Sequence, residues 1–415
     1  MTATPVLRQG LAALLIAVAG TLFGTWGSQG ALAQVVPAAA ALPAMPGARP
    51  FTPPVEVSTT GLQWPSLLER AEAALEAGDT QTALDALQQA AAQRHSPDIE
   101  TGLVRAQMQA GEYRRALAFA AHTAGAHPFD GNGIALYGWL LYVGGQPVLA
   151  HQLLGAAAQR LPGDPAVAAT LERTQAVAPP SVGSAPPRFR FPLRGPTPGS
   201  DARWVGSATS VGDGQLALVP LAWLEGAQTI WLRDCTGGTY PAELVKREPQ
   251  IGLALLRLMG VEAGVKSVPA ARREAFAGSP AFAFGHVAPA AGMPPWPVMT
   301  LGFLAMPRAV QGARPLGFDL SSSSPGGPVF DSSGRWIGVT LPNADGTASL
   351  VSAAAARALW EPGEAAGAAP ERVTPRIAVD ELYEAASRLT LQVIVATRDA
   401  TLAQQGRLPS LRSED

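Results

Sequence analysis

At 415 residues the chain is long enough for two or three separately cored domains. With 47% hydrophobic and only 15% charged residues, it is not a chain that is disordered throughout. Lys and Arg number 30 against 32 Asp and Glu, with no dense basic stripe, which excludes a global field for nucleic acid or an acidic membrane surface.

Residues 1–33 read as a cleavable secretory signal. Arg8 precedes the apolar run GLAALLIAVAGTLFGTW, and Ala31-Leu32-Ala33 supplies a small-residue cleavage site, with the cut after Ala33. That run falls short of the ~20 residues a membrane helix needs. The alternative is retention as an anchor. No later segment is apolar for long enough, so the mature chain is expected to lack a membrane span and to be periplasmic or secreted. Cys235 is the single cysteine, so no intrachain disulfide forms, and its setting RDCTGGTY predicts a free thiol in a hairpin between two apolar strands.

A Pro/Ala-rich linker, 34–60, leads into a helical region, 61–177. There the phrases EAGDTQTALDALQQAAAQRHSP, QAGEYRRALAFAAHTAGAHP and YVGGQPVLAHQLLGAAAQRLP superimpose, with Gly78, Gly111 and Gly145 in phase, as are Ala83, Ala116 and Ala150, and Pro97, Pro128 and Pro162. A period near ~34 describes two helices joined at a glycine, packed closely through alanine, and stopped by proline. The region resembles three tetratricopeptide repeats, which implies a curved solenoid holding a protein or peptide partner. Tyr137, Trp139 and Tyr142 are candidates for its inner face, against the alternative that they are inter-helix core.

A Pro-rich linker, 178–202, precedes a region, 203–360, of short apolar runs such as RWVGSATSV, QTIWLRD, IGLALLRL and WIGVTL, set between Gly, Pro, Asp and Ser clusters. This punctuation predicts an all-β barrel or sandwich. Beyond a linker, 361–375, RIAVDELYEAASRLTLQVIVA predicts a C-terminal helix over 376–397, docked on one of the two domains, and then a tail, 398–415. The predicted class is therefore multidomain α + β: an all-α solenoid, an all-β domain and a C-terminal helix.

The β region resembles the trypsin-like serine proteases, most closely their HtrA-like (high-temperature-requirement) envelope branch. The likeness rests on GSATSVGDGQLALVPLAWLEGAQTIWLRDCTGGTYPAELVKREPQIGLALLRL and on SSSSPGGPVFDSSGRWIGV, and it implies a double β-barrel. It puts Ala222 of AWLEGA in the histidine slot, Gly252 of IGLALL in the aspartate slot, and Pro325, ahead of Gly326 and Gly327, in the nucleophile slot. Alanine accepts no proton, glycine orients nothing, and proline has no hydroxyl to activate. The family's oxyanion hole uses the N–H of the nucleophile and of the residue two before it, here Pro325, which has none, and Ser323.

The resemblance thus implies a degenerate, proteolytically inactive domain whose residual cleft, with Ser323, Ser324, Gly326 and Gly327, binds rather than cuts. Asp319, six before Pro325, occupies the offset of the trypsin specificity carboxylate, a candidate for holding a basic side chain against the alternative of a polar residue at a strand end. The competing reading is an active peptidase with relocated groups, using the Ser321–Ser324 run. His286, the sole histidine of this region, is expected to be satisfied or solvent-facing. No set of His, Cys, Asp and Glu has metal-ligand spacing, no phosphate loop is present, and neither metal nor cofactor is expected.

Overall fold

The computed structural model describes residues 63–175, 191–261, 270–271, 274–289, 293–307, 313–320, 323–361 and 375–397. The expected signal, the 34–60 linker and the 398–415 tail lie outside the described residues, as does most of the 178–202 and 361–375 linkers. The repeat phrases fold as three helix pairs and a closing helix. They are α1 (Trp64–Ala77) with α2 (Thr80–Ala91), α3 (Pro97–Gln109) with α4 (Tyr113–Ala126), α5 (Gly131–Val143) with α6 (Pro147–Arg160), and α7 (Pro165–Gln175).

Gly78, Gly111 and Gly145 turn each pair with φ of 76, 70 and 79°, a backbone region that L side chains avoid. Ala83, Ala116 and Ala150 are wholly buried where paired helices meet. Aspartates cap the helices that follow tight turns: Asp79 accepts from the Thr82 amide at 3.1 Å and Asp130 from the Gly133 amide at 2.9 Å. The prolines differ in one respect from the sequence reading. Pro97 opens α3, where the missing N–H is harmless, whereas Pro128 and Pro162 follow α4 and α6.

The β region divides in two. Strands β1 (Arg203–Val211), β2 (Leu216–Pro220), β3 (Ala227–Arg233), β4 (Thr239–Glu248) and β5 (Leu253–Leu258) form most of a closed barrel. Strands β6 (Pro280–Gly285), β7 (Val298–Phe303), β8 (Ala313–Pro315), β9 (Pro328–Phe330), β10 (Trp336–Pro342) and β11 (Ala348–Ser352) form a six-stranded sheet in the order β7-β6-β9-β10-β11-β8. Among the described residues no β7–β8 pairing closes that sheet into a second barrel. A five-residue helix, α8 (Ala353–Arg357), follows it.

The expected C-terminal helix is less than half its anticipated length. Only α9 (Val379–Ser387) is helical, and Thr390–Thr397 forms β12. This strand lies between β1 and β3 and closes the barrel in the order β1-β12-β3-β4-β5-β2, with Ala208 opposite Leu391 and Ile230 opposite Val395. Leu391, Val393 and Val395 enter the barrel core beside Ala217, Val219 and Leu256. The β domain therefore does not end at residue 360, because its first barrel is completed by the last described residues of the chain.

The helical repeats and the β domain share one core. Tyr113 of α4 lies against Tyr383 of α9, ring centroids 4.2 Å apart, and Trp296 of the β6–β7 connection sits 6.0 Å from Tyr113, 5.6 Å from Trp139 and 6.3 Å from Tyr383. Such offset and edge contacts add to the area buried. The buried Tyr383 hydroxyl donates to Pro297 O at 2.7 Å, and the Glu384 carboxylate accepts from the otherwise orphaned Arg114 amide in the first turn of α4 at 3.0 Å. The α9 helix thus docks between both domains, where one was expected. Part of the 178–202 linker is also fixed: Arg194 donates its amide to Gly237 O at 2.8 Å and accepts from Thr239 N at 2.9 Å, adding to the β3–β4 hairpin.

Candidate functional site

The loop carrying Pro325, Gly326 and Gly327 lies between the barrel and the second sheet, held from both sides. From the barrel, the Thr209 hydroxyl donates to Gly326 O at 3.0 Å and the Ser207 amide to Pro325 O at 3.2 Å. From the sheet, the Thr340 hydroxyl accepts from Gly326 N at 2.9 Å, and the Thr340 amide donates to Gly327 O at 3.1 Å. Thr209 and Thr340 are alternate-face strand residues, fully buried, whose hydroxyls satisfy backbone groups the loop would otherwise leave without partners.

The three slots are neighbours in space. Ala222 sits exposed in the short 3-10 turn Leu221–Leu224 after β2, and the preceding Leu221 amide donates to Gly252 O at 2.9 Å. On its other side Trp223 Nε1 donates to Pro325 O at 3.2 Å. The three turns are therefore tied by direct hydrogen bonds, and the side chains they present are a methyl, a hydrogen and a pyrrolidine ring. None of these can accept a proton, hold a base or attack a carbonyl.

The backbone offers little to stabilise an anion. Pro325 has no N–H, and the Ser323 amide donates to Leu320 O at 3.1 Å, as does the Ser323 hydroxyl at 2.9 Å. Both positions of the expected oxyanion pair are thus without a free donor. The sequence showed the first loss but not the second, which depends on the path of the chain back to Leu320.

Ser324 is half-buried and its groups are engaged nearby. Its amide donates to His286 O at 2.7 Å, its carbonyl accepts from the Ser207 hydroxyl at 3.0 Å, and its hydroxyl points to Pro325 O at 3.4 Å. The His286 ring is buried with Nε2 3.1 Å from Pro295 O, while Nδ1 has no hydrogen-bond partner. Burial pushes its pKa down to about 4, despite the opposing bond to Pro295, so the imidazole is neutral near pH 7. The ring is therefore buried rather than solvent-facing, with one of its two nitrogens satisfied. Asp319 is exposed on the segment after β8, not buried at the base of a pocket.

The aromatic candidates of the solenoid face inward. Trp139 is buried against Trp296 of the β domain, whereas Tyr137 and Tyr142 are half-buried beside the same core, Tyr142 with its ring 6.4 Å from His151 of α6, so Trp139 is core rather than a partner-facing residue. Cys235 is buried in the β3–β4 hairpin as a free thiol, and burial pushes its pKa up to about 12, which keeps it protonated.

The sequence shows no metal-ligand spacing, but the fold brings one group of suitable donors together in the helical repeats. His95, Glu100 and His127 bring one ligand atom each to within 4.8 Å of one another. His95 and His127 are 32 residues apart in sequence, a separation no local spacing pattern reports. No described helix is long and apolar enough to cross a membrane.

Residues 200–339 match the family described as the trypsin-like peptidase domain, a span that includes all three slots, and residues 74–140 match the tetratricopeptide repeat. Among solved structures, the MamO protease domain from Magnetospirillum magneticum (apo form) is 21% identical with a TM-score of 0.32, covering 40% of this chain and 92% of that one. The HtrA-type protease AlgW with decapeptide is 18% identical with a TM-score of 0.30, covering 37% of this chain and 49% of its own. No protein of curated function matches the chain. The chain therefore carries a trypsin-like peptidase domain preceded by tetratricopeptide repeats.

Proposed function

We propose that this chain is an exported pseudoprotease, a protein-binding scaffold or assembly factor of the cell envelope that does not cleave its partners. The observation that carries the reading is the state of the nucleophile loop. Its nucleophile position is proline, and the one remaining oxyanion donor, the Ser323 amide, is bonded to Leu320 O at 3.1 Å. Loss of a single such donor slows acyl transfer by ~10²–10³, and here the base, the orienting acid and the attacking hydroxyl are missing as well. Export rests on the N-terminal signal pattern, and partner binding on the tetratricopeptide repeats.

A working peptidase with relocated groups is the rival reading, and it would need a serine hydroxyl against an imidazole. Ser324 and His286 are linked through backbone atoms, but the hydroxyl is turned to Pro325 O and the ring to Pro295 O. Incubating the purified chain with a fluorophosphonate separates the two. The scaffold reading expects no labelling of a natively folded sample; labelling abolished by replacing the Ser321–Ser324 run would return the protein to the hydrolases. Capture of the same partner from envelope extract by the wild type and by Pro325→Ala would complete the case, since binding without chemistry is indifferent to that position.

A further inference from the structure

Glu100 stands in the first turn of α3, yet its side chain is only 3% exposed, and both carboxylate oxygens lack a hydrogen-bond partner. A carboxylate withdrawn from water is strongly destabilising unless a positive charge or a metal ion faces it. Three imidazoles face it. His95 Nδ1, in the α2–α3 turn, lies 2.5 Å from Oε1, His127 Nε2, at the end of α4, lies 3.4 Å from Oε1, and His122 Nε2 lies 4.0 Å from Oε2. His127 Nε2 is itself buried without a hydrogen-bond partner.

Imidazole nitrogens and a carboxylate oxygen are the ligand types of a zinc-type cation, and here one atom each from His95, Glu100 and His127 lies within 4.8 Å of the others. Nitrogen and oxygen ligands at ~2.0–2.1 Å from a tetrahedral ion stand ~3.3 Å from one another. The 3.4 Å separation of His127 and Glu100 meets that figure, the 2.5 Å contact of His95 is shorter and the 4.0 Å contact of His122 longer, and the His95 and His122 side chains are each 54% exposed. Their exposure also gives an ion a route from solvent.

The geometry points to a divalent transition-metal site of the zinc type in the helical repeats, with His95, Glu100 and His127 as ligands and His122 as the fourth. It ties the α2–α3 turn to the end of α4, joining the first repeat to the second, so the ion stabilises the array by binding only its folded form. Borderline nitrogen donors with one carboxylate suit Zn²⁺ and Co²⁺ over Mg²⁺ or Ca²⁺.

The test uses the full untagged chain, stripped with chelator, titrated with ZnCl₂ by calorimetry and with Co²⁺ by visible absorption. One Zn²⁺ per chain and an intense tetrahedral Co²⁺ spectrum are expected. Glu100→Gln and His127→Asn are each expected to weaken Zn²⁺ by at least the ~10–100-fold that loss of a mere orienting group costs. His151→Asn serves as the remote control, its ring being bonded to Thr174 O, and is expected to leave binding unchanged. Zn²⁺ binding no tighter in the wild type than in a Glu100→Gln/His127→Asn double variant overturns the assignment. Should the variants fail to fold, the wild-type spectrum decides alone: a weak spectrum like that of hydrated Co²⁺ rejects the site.

Discussion

The backbone N–H of Ser323 donates to the carbonyl of Leu320 at 3.1 Å, which withdraws the one oxyanion donor that proline leaves to this loop. Restoring the missing side chains with Ala222→His, Gly252→Asp and Pro325→Ser rebuilds a nucleophile, a base and its orienting acid on three turns already tied together. It also returns an N–H to position 325. It does not release the Ser323 amide, whose absence from the hole is worth ~10²–10³ in rate. The triple variant is expected to show no peptide-ester hydrolysis above buffer, and Ser323→Gly added to it is expected to be the change that first gives turnover. Hydrolysis by the triple variant itself would show that the Ser323–Leu320 bond gives way to substrate.

Gly326 shows why the Gly-Gly-Pro part of the protease-like signature is fixed by packing rather than by chemistry. Its φ is +110°, and a Cβ there would stand 1.9 Å from Ser207 O and 3.0 Å from Pro220 Cδ. The first neighbour is barrel backbone and cannot step aside. Gly326→Ala is therefore expected to lower stability by more than the ~1–3 kcal/mol of backbone strain alone, read as a fall in the urea midpoint. A midpoint equal to wild type would mean that the loop is not clamped between the two sheets as described.

The local signals were legible because local physics sets them. Positive-φ glycines and buried alanines at a fixed period fix the repeat pairs, and the Gly-Gly-Pro turn with its flanking strands fixes the nucleophile loop. Thr390–Thr397 was not legible, since TLQVIVAT continues the apolar pattern of the preceding helix and a short buried strand cannot be told from buried helix by periodicity. Trp139 has the spacing of a helix face whether that face meets a partner or the chain's own Trp296. The Ser323–Leu320 bond, and the meeting of Glu100 with His127, depend on tertiary folding that no window of sequence contains.

The position of β12 makes residues 390–397 part of the protease-like barrel. Ending the chain at Trp360 removes Leu391, Val393 and Val395 from the core and opens β1 and β3 as unpaired edges, which invites strand addition between molecules. It also removes Tyr383 and Glu384 from the contact with α4. A 61–360 fragment, which contains every residue of the family matches, is expected to aggregate, whereas 61–397 is expected to elute as a soluble species. Size-exclusion chromatography of the two side by side is the measurement, and a monodisperse shorter fragment would show that β12 is dispensable.

His286 gives the fold an acid-sensitive element. Its folded pKa, about 4, lies below the unfolded value near 6.5, so between these limits the unfolded chain binds more protons and stability falls as pH falls. The contribution is complete above pH ~6.5 and is lost progressively toward pH ~4, amounting to about 3 kcal/mol from the difference in pKa. Replacing the ring by Gln removes the titration, although it also removes the bond to Pro295 O and so lowers the plateau. Urea midpoints at pH 7.5 and 4.5 are expected to differ more for the wild type than for His286→Gln. Equal slopes in the two proteins would mean that water reaches the imidazole and that its burial imposes no penalty on the charged form.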